Sequence, residues 1–214
     1  FTLNYMHQNG ERLPDMGVPI IGPDGTGSPR QGRPVTEFGV PRSNFYGKET
    51  DLDDYQVDMI TRRLTHKVND GLTIYNDTRL AWYSRYFAQT VTSCSGACLA
   101  SVLDGTFSGA YSFGGPAGFD QEAWGAQNIT TAVAKFKTAG LRHEMVAGLD
   151  VYYQEDARDS LMNVGGKNAG TIGNPIFDAI GYTVQRNPNG DKAADATNVG
   201  VFISDRVWLT DTFS

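Results

Sequence analysis

The chain has 214 residues, of which 40% are apolar and 20% charged, and its net charge is −6. This length is sufficient for one sizeable hydrophobic core, and the composition excludes a disordered chain. The acidic balance argues against a general nucleic-acid binder, which would carry a basic face, and no apolar run reaches the roughly 18 residues that a membrane-spanning helix needs.

Strand-like alternation of apolar and polar residues begins at the start of the chain. Residues 1–5 (FTLNY) already alternate, as a strand in progress would, and residues 53–68 alternate again. The second segment changes phase near Met59 and Ile60, which predicts a β-bulge there. Asn69-Asp70-Gly71 follows directly and indicates a tight hairpin turn.

The next strand is predicted over residues 72–91, with one apolar and one polar face. The apolar face would hold Leu72, Ile74, Leu80 and Trp82, and the polar face Asp77, Arg79, Tyr83 and Arg85. Residues 129–138 fit either a strand or a helix, because Ile129, Val133 and Phe136 could line a helix. We favour a strand, since the neighbouring strands need a pairing partner.

Ala139-Gly140 predicts a second tight turn, and the clearest alternation in the chain follows it over residues 141–154. One face of this strand is apolar and the other is largely polar. The apolar face holds Leu141, His143, Met145, Ala147, Leu149, Val151 and Tyr153. A last strand is predicted over residues 199–213, with Val201, Ile203, Val207, Leu209 and Phe213 on a single face.

The connections between these strands alternate between short and long. Long connections rich in Gly, Pro, Asn, Asp and Ser lie at residues 10–52, 92–127 and 156–198. Structureless loops of this length count against a compact soluble domain, whereas outer-membrane barrels have short periplasmic turns and long extracellular loops. The pattern therefore predicts an all-β fold of antiparallel transmembrane β-barrel strands.

About six predicted strands cannot close a barrel wide enough for such loops, and open strand edges are forbidden in lipid. We therefore expect residues 1–214 to be a segment of one transmembrane β-barrel domain that other strands complete. The apolar faces would contact lipid and the polar faces the lumen. Expected lumen-facing residues include Asp77, Arg79, Arg85, Arg142, Glu144 and Asp150.

Cys94 and Cys98 are the only cysteines in the chain. A C-x3-C pair could bind a metal, act as a redox pair or form a structural disulfide. No histidine lies nearby to complete a zinc site, and an exported protein permits disulfides, so we favour the disulfide and expect no metal site. Its role would be to fix where a long loop leaves its strand.

Arginine and aromatic residues are interspersed in the long loops. This mixture suits an anionic, aromatic iron chelate through charge-assisted hydrogen bonds and stacking. The alternative for each residue is that it packs the loops together, since loops of this size need small cores of their own. The ligand-binding candidates are Arg42, Phe45, Tyr46, Tyr111, Phe113 and Trp124. No nucleophile elbow or other catalytic constellation stands out, so an enzyme is not expected.

Five segments in order resemble one family, the TonB-dependent ferric-siderophore receptors. The segments are residues 12–21 (RLPDMGVPII), 42–47 (RSNFYG), 63–80 (RLTHKVNDGLTIYNDTRL), 141–150 (LRHEMVAGLD) and 201–205 (VFISD). Their counterparts in the family are "LPD-GVP", "R-NFYG", the strand pair that follows it, "KH-LVAGVD" and "YVQD". The resemblance covers most of the chain, and the long loops are its least distinctive part.

The resemblance implies an outer-membrane receptor of a Gram-negative bacterium, with an N-terminal plug inside a barrel of about 22 strands. Such a receptor takes up a ferric siderophore, driven through the TonB complex, and contacts lipid and lipopolysaccharide. Nothing in this chain resembles the plug or its TonB box, and no cofactor is implied beyond the transported chelate. The alternatives are a passive porin, a TonB-dependent receptor for another nutrient, or, in a different class, a soluble surface β-sandwich adhesin.

Overall fold

Long antiparallel strands dominate the computed structural model of the chain, which describes residues 1–22, 30–113, 118–165, 170–178 and 182–210. The elements in chain order are β1 (Thr2–Arg12), β2 (Ile20–Ile21), a 3-10 helix (Val35–Phe38), β3 (Leu52–Asn69), β4 (Leu72–Ala88), β5 (Thr92–Cys94), α1 (Ala97–Leu103), β6 (Ser112–Phe113), β7 (Gly118–Thr138), β8 (Leu141–Gly165), β9 (Tyr182–Arg186), a second 3-10 helix (Pro188–Gly190) and β10 (Lys192–Trp208). Among these residues, no helix is long and apolar enough to cross a membrane.

One sheet contains the long strands in their chain order, β1-β3-β4-β7-β8-β10, and β9 pairs with the far end of β8. Every pairing in it is antiparallel. The sheet curls into part of a barrel, which confirms the predicted fold class. The two tight turns are also confirmed. In the second, Ala139 and Gly140 have φ values of 53° and 85°, the left-handed pair that matches the twist of a hairpin.

Three strands are longer than predicted. β7 begins at Gly118, β8 continues to Gly165 and β10 begins at Lys192, so much of the predicted loops 92–127 and 156–198 is strand. The segment from Gly118 onward pairs residue by residue with β4 on one side and β8 on the other. Hydrogen bonds to both neighbouring strands satisfy its backbone N–H and C=O groups, so it forms a strand although its side chains do not alternate.

The predicted bulge near Met59 and Ile60 is wrong. Pairing with β1 and β4 runs without interruption there, and the irregularity lies at Lys67 to Asn69 instead. Met59 pairs with Met6 and Ala81, so the change of phase reflects an apolar residue on the mainly polar face. At the other end of the chain, the predicted last strand ends at Trp208, and Phe213 lies outside the described residues.

The strand register sorts the side chains onto two faces. We call the concave face, which lines a hollow across five strands, the inner wall. It carries the polar side chains predicted for the lumen: Asp77, Arg79, Arg85, Arg142, Glu144 and Asp150. The outer face carries the apolar set, and Val201 and Ile203 on it are 83% and 73% exposed. No second layer covers this face in the described part of the chain, in contrast to a β-sandwich.

The long connections pack together into a unit that we call the cap, formed by the described parts of residues 13–51, 89–117 and 170–178. A small sheet, β2-β5-β6, and α1 lie within it. A disulfide joins Cys94 at the end of β5 to Cys98 in α1. The buried core of the cap comprises Ile21, Val35, Val40, Tyr46, Cys94, Cys98, Leu99, Val102, Tyr111, Phe113 and Ile172.

Candidate functional site

A hollow of about 600 Å³ lies on the inner wall, toward the end that carries the cap. Side chains from β1, β3, β4, β7 and β8 line it, so it exists only once these strands have paired. The lining is rich in hydrogen-bonding groups, including Tyr55, Tyr83, Arg79, Gln127 and Gln154. A concave, largely polar surface of this kind suits a solute that brings its own charge and hydrogen-bonding groups.

A buried carboxylate organises the upper part of this wall, which is the part nearest the cap. The side chain of Asp53 is 1% exposed and lies between two guanidinium groups. Arg12 Nε donates to Asp53 Oδ2 at 2.7 Å, and Arg85 donates to both oxygens, from Nε at 2.8 Å and from Nη2 at 3.1 Å. The bidentate contact holds the Arg85 guanidinium in one orientation. Asp53 is therefore a positioning residue for the cations around it.

Arginine and aromatic side chains alternate beside this carboxylate, and we call them the upper ladder. Arg85 lies over the rings of Phe87 and Phe119, at 4.7 and 5.8 Å from their centroids. Arg158, from β8, also lies over the Phe119 ring, at 5.0 Å from its centroid. The Phe87 and Phe119 rings are 5.6 Å apart. Flat rings flanked by cations can hold an anionic aromatic group by stacking and by charge.

Amide and carboxylate side chains form a hydrogen-bonded layer below the ladder. Gln127 Nε2 donates to both oxygens of Asp150, at 3.1 and 3.2 Å. Gln121 donates to Asp156, and Arg158 pairs with the other oxygen of Asp156 at 3.1 Å. Cross-strand bonds between β7 and β8 thus fix the polar groups that a solute would meet below the ladder.

The first and third loops of the cap are held together by hydrogen bonds from buried donors. The Tyr46 hydroxyl donates to the Ile172 carbonyl at 2.7 Å, and Asn44 Nδ2 donates to the same oxygen at 3.2 Å. Lys48 Nζ donates to the Ile176 carbonyl. A main-chain bond of 2.8 Å from Ile172 to Gly109 adds the second loop. The three loops are therefore joined to one another at one end of the sheet.

Two buried charged residues, Lys48 and Asp51, lie where the cap joins β3. Asp51 accepts a hydrogen bond from the Lys48 backbone N–H at 2.9 Å and one from the Thr90 hydroxyl at 2.7 Å. Burial raises the pKa of Asp51 and lowers the pKa of Lys48. Both residues are almost fully buried, at 0% and 5% exposure, so the junction anchors the cap to the sheet.

The structure separates the six ligand-binding candidates into four environments. Tyr46, Tyr111 and Phe113 are 2%, 3% and 8% exposed and pack edge to face, with centroids 5.2 and 5.5 Å apart. Their rings fill the core of the cap, as the packing alternative expected. Phe45 is half-buried and packs against Phe177, at 5.9 Å between centroids.

Arg42 is exposed on the cap, where its role in binding stays a prediction. Trp124, predicted to lie in a loop, lies in β7 instead, because that strand begins at Gly118. By register its side chain belongs to the outer face, where its indole N–H donates to Glu155 at 3.0 Å.

Of the upper ladder, Arg85 was expected on the lumen side, whereas Phe87, Phe119 and Arg158 were not among the six ligand-binding candidates. Phe119 and Arg158 fell in segments predicted to be loops, and Phe87 lies two residues beyond Arg85 on the same strand face. Of the ladder, only Arg85 and Phe87 could therefore have been linked from the sequence, because residues two apart in a strand lie on the same face. Within the described residues, no group of three or more His, Cys, Asp or Glu side chains could hold a metal ion.

Comparison with known proteins identifies relatives of the chain. No family model matches it. The catecholate siderophore receptor Fiu of Escherichia coli strain K12 is 40% identical to it over 79 residues, which are 36% of this chain and 10% of that receptor. The chain is a homologue of this siderophore receptor. The resemblance to TonB-dependent siderophore receptors is thereby confirmed.

Solved structures agree with this homology. The open form of the ferric-catecholate import receptor Fiu from E. coli K12 matches 98% of this chain and 32% of its own, with a TM-score of 0.73 and 22% identity. The siderophore receptor PiuA from Acinetobacter baumannii matches 97% of this chain and 30% of its own, with a TM-score of 0.62 and 14% identity. The fold is that of these receptor barrels, and the chain spans about a third of their length.

Proposed function

We propose that the chain is a segment of the barrel domain of an outer-membrane receptor that imports a ferric siderophore. The upper ladder carries this proposal, together with homology to a catecholate siderophore receptor. Ferric catecholates are anionic and present flat rings, and the ladder offers cations and flat rings in alternation. The cap would enclose the chelate above the ladder. Such a receptor is a transporter rather than an enzyme.

The remainder of the receptor would supply the other parts that transport requires. Further strands would close the barrel, of about 22 strands in receptors of this kind, and a plug domain would occupy its lumen and couple it to the TonB complex in a Gram-negative outer membrane. The exposed apolar residues of the outer face suit hydrocarbon, and lipid and lipopolysaccharide would surround them. The chelate is cargo, so no resident cofactor is proposed.

The proposal is tested with the complete receptor that carries this segment, in a bacterial host that lacks its own catecholate receptors. We expect growth on ferric dihydroxybenzoate as the iron source, and energised uptake of the labelled complex. In the same host lacking TonB, uptake should fall to background. Uptake that persists without TonB would instead indicate a passive porin, and uptake of another nutrient alone would identify a different receptor.

Variants of the ladder test the site itself. Arg158→Gln removes a cation that lies over Phe119 but leaves the Asp53 clamp intact. We expect chelate affinity at the cell surface to fall about tenfold, as for loss of one charge-assisted hydrogen bond. Arg62→Gln, on the outer face of β3, is the matched control and should bind normally. Equal affinities for the two variants would remove the ladder from the binding site.

A further inference from the structure

Four polar side chains form a hydrogen-bonded ring on the outer face, where β4 pairs with β7. We call this ring the outer clasp, and its members are Asn76 and Thr78 of β4 and Asn128 and Thr130 of β7. The register pairs Asn76 with Thr130 and Thr78 with Asn128. Leu64 of β3 and Leu149 of β8 flank the first of these pairs in the same cross-strand row. The clasp therefore lies among side chains that suit hydrocarbon.

Both amides of the clasp bond across the strands. Asn76 Nδ2 donates to Thr130 Oγ1 at 2.8 Å and to Asn128 Oδ1 at 3.1 Å, and Asn128 Nδ2 donates to Thr78 Oγ1 at 2.8 Å. Within each strand, the Thr78 hydroxyl donates to Asn76 Oδ1 at 3.3 Å and the Thr130 hydroxyl to Asn128 Oδ1 at 3.1 Å. The ring thus pairs both amide oxygens and both hydroxyls internally, as polar groups in hydrocarbon require.

The junction of β4 and β7 has no tight turn to set its register. Tight turns join β3 to β4 and β7 to β8, whereas residues 89–117 connect β4 to β7. The cost of closing a long loop depends only weakly on its length, so a slip of two residues would change it little. Such a slip also keeps every side chain on its own face, because strand side chains alternate. The loop and the apolar pattern therefore both permit it.

The outer clasp distinguishes the observed register from both two-residue slips. One slip would place Asn76 opposite Ala132, and the other would place Thr78 opposite Ala126. Alanine offers no side-chain hydrogen bond, so a polar group of the clasp would lie unpaired against hydrocarbon, which is costly. Within the described residues, the clasp supplies every side-chain hydrogen bond between β4 and β7. It is therefore the polar contact that selects this pairing.

The other two junctions spanned by long loops also carry side-chain bonds on the outer face. Between β1 and β3, Tyr5 and His7 both bond Asp58. Between β8 and β10, His143 bonds Asp205 at 2.7 Å. Of the two hairpins, β3–β4 has no such bond among its described residues, and β7–β8 has one, at the end remote from its turn. Bonding on this face is therefore concentrated where no tight turn sets the pairing.

We infer that the outer clasp fixes the register of β4 and β7 in the membrane and thereby positions the upper ladder. The same register sets Phe87 opposite Phe119 and brings Arg85 over both rings. A two-residue slip would move Phe119 by about 7 Å along β4 and separate this group. The clasp residues are positioning residues, since they act on the ladder through the backbone. The link to ligand binding rests on the proposed function, whereas the register is measured without a ligand.

Cysteine cross-linking measures the register of the complete receptor in outer-membrane vesicles. Ser84→Cys with Glu122→Cys reports the observed register, because these residues are direct partners on the outer face. Ser84→Cys with Asp120→Cys or with Trp124→Cys reports the two slips. In the observed register these pairs are diagonal neighbours about 7–8 Å apart, too far for a disulfide. Mass spectrometry of the cross-linked peptides separates them from the native disulfide of the cap.

Asn76→Val/Asn128→Val removes both amides and leaves an apolar surface toward lipid. Replacing both hydrogen-bonding partners by apolar groups costs little stability, so the folded yield should stay within about twofold. The ratio of slipped to native cross-links should rise about tenfold, as expected when the penalty for one unpaired polar group is removed. Asn9→Val, which changes an outer-face amide of β1, is the matched control and should leave the ratio unchanged. If the double variant does not assemble, Thr78→Val/Thr130→Val keeps the amide pair and should raise the ratio about threefold.

Binding of labelled ferric dihydroxybenzoate to de-energised cells connects the register to the ladder. In the Asn76→Val/Asn128→Val variant, the number of binding sites should fall in proportion to the slipped fraction, and the Kd of the remaining sites should be unchanged. An unchanged cross-link ratio would overturn the inference and leave the proposed function intact. A raised ratio with the full number of sites would support the clasp but would overturn its link to binding, and with it the place of the ladder in the proposed site.

Discussion

A charge placed on the outer face tests whether hydrocarbon covers it. Leu149 lies on the outer face of β8 and is 43% exposed. Its cross-strand neighbours are Thr130 and Val201. Leu149→Arg would place a cation in the apolar face without disturbing a packed core. Val146→Arg is the matched control, because Val146 lies three residues away on the same strand and faces the inner wall.

The expected loss of folding free energy depends on how deep Leu149 lies in the membrane. Aromatic pairs mark two levels of the outer face: Phe136 stacks on His143 at 4.8 Å, and Trp124 packs against Tyr153 at 5.2 Å. Ten residues separate these levels along β8, about 34 Å along the strand and about 24 Å across a membrane at a tilt of ~45°. Barrels have an apolar band of about 25 Å, so the two pairs fit its borders.

Leu149 is six residues above His143, about 14 Å into that band and close to its middle at the same tilt. Arginine at the midplane of a barrel costs about 2–4 kcal/mol and much less near the borders. We therefore expect Leu149→Arg to lose about 2–3 kcal/mol of folding free energy in bilayers. Val146→Arg faces the aqueous side and should lose less than about 1 kcal/mol.

The assay is reversible urea unfolding of the complete receptor in phospholipid vesicles, followed by tryptophan fluorescence and by the heat-modified mobility of the folded barrel. Free energies of unfolding are compared for the two arginine variants and the unmodified receptor. If both variants lose the same free energy, the assignment of faces is wrong. A larger loss for Val146→Arg would mean that the two faces are exchanged.

Three further predictions concern the cap and the loop end of the sheet. Replacing Cys94 and Cys98 by serine should cost about 2 kcal/mol or less, because the ring is short, and should increase proteolysis of the cap while the barrel stays folded. Tyr46→Phe removes a buried hydroxyl that bonds a carbonyl of the third loop, and should cost about 1 kcal/mol in cap opening measured by hydrogen exchange; an unchanged rate would refute that role. The hydrogen bond from Arg186 is the main cause that lowers the pKa of Asp191 below 3.8. This contact therefore stabilises residues 186–191, the corner between β9 and β10, at pH values above 3.8. The stabilisation is lost as the pH falls through the lowered pKa. Hydrogen exchange of the corner should thus rise in acid, and Asp191→Asn should abolish this pH dependence.

Local patterns in the sequence predicted the faces of the sheet correctly. Leu149 and Asp150 differ by one position and lie on opposite faces, because successive side chains of any strand alternate. The Asn69-Asp70-Gly71 and Ala139-Gly140 turns were equally predictable, since each is a short connection that ends in glycine, a residue favoured in tight hairpins. The strand assignment for residues 129–138 was also correct, although their periodicity alone left a helix open.

Pairing across the sheet decided what the alternation did not show. Residues 118–127 were assigned to a loop as part of a long stretch rich in Gly, Pro, Asn, Asp and Ser, yet β4 and β8 supply backbone partners on both sides. The upper ladder depended on the same step. Arg85, Phe119 and Arg158 come from three strands and meet only when those strands are in register.

The sequence by itself determined that the chain forms long antiparallel strands with one apolar face, joined alternately by tight turns and long loops. Only the tertiary structure decided that the aromatic residues of the loops fill a cap, and that arginines and rings gather on the inner wall beside the cap. The physical reason is the range of the forces: alternation and turn geometry are set by neighbours in the chain. Burial and cation–ring contacts are set by neighbours in space, which strand register and loop packing bring together.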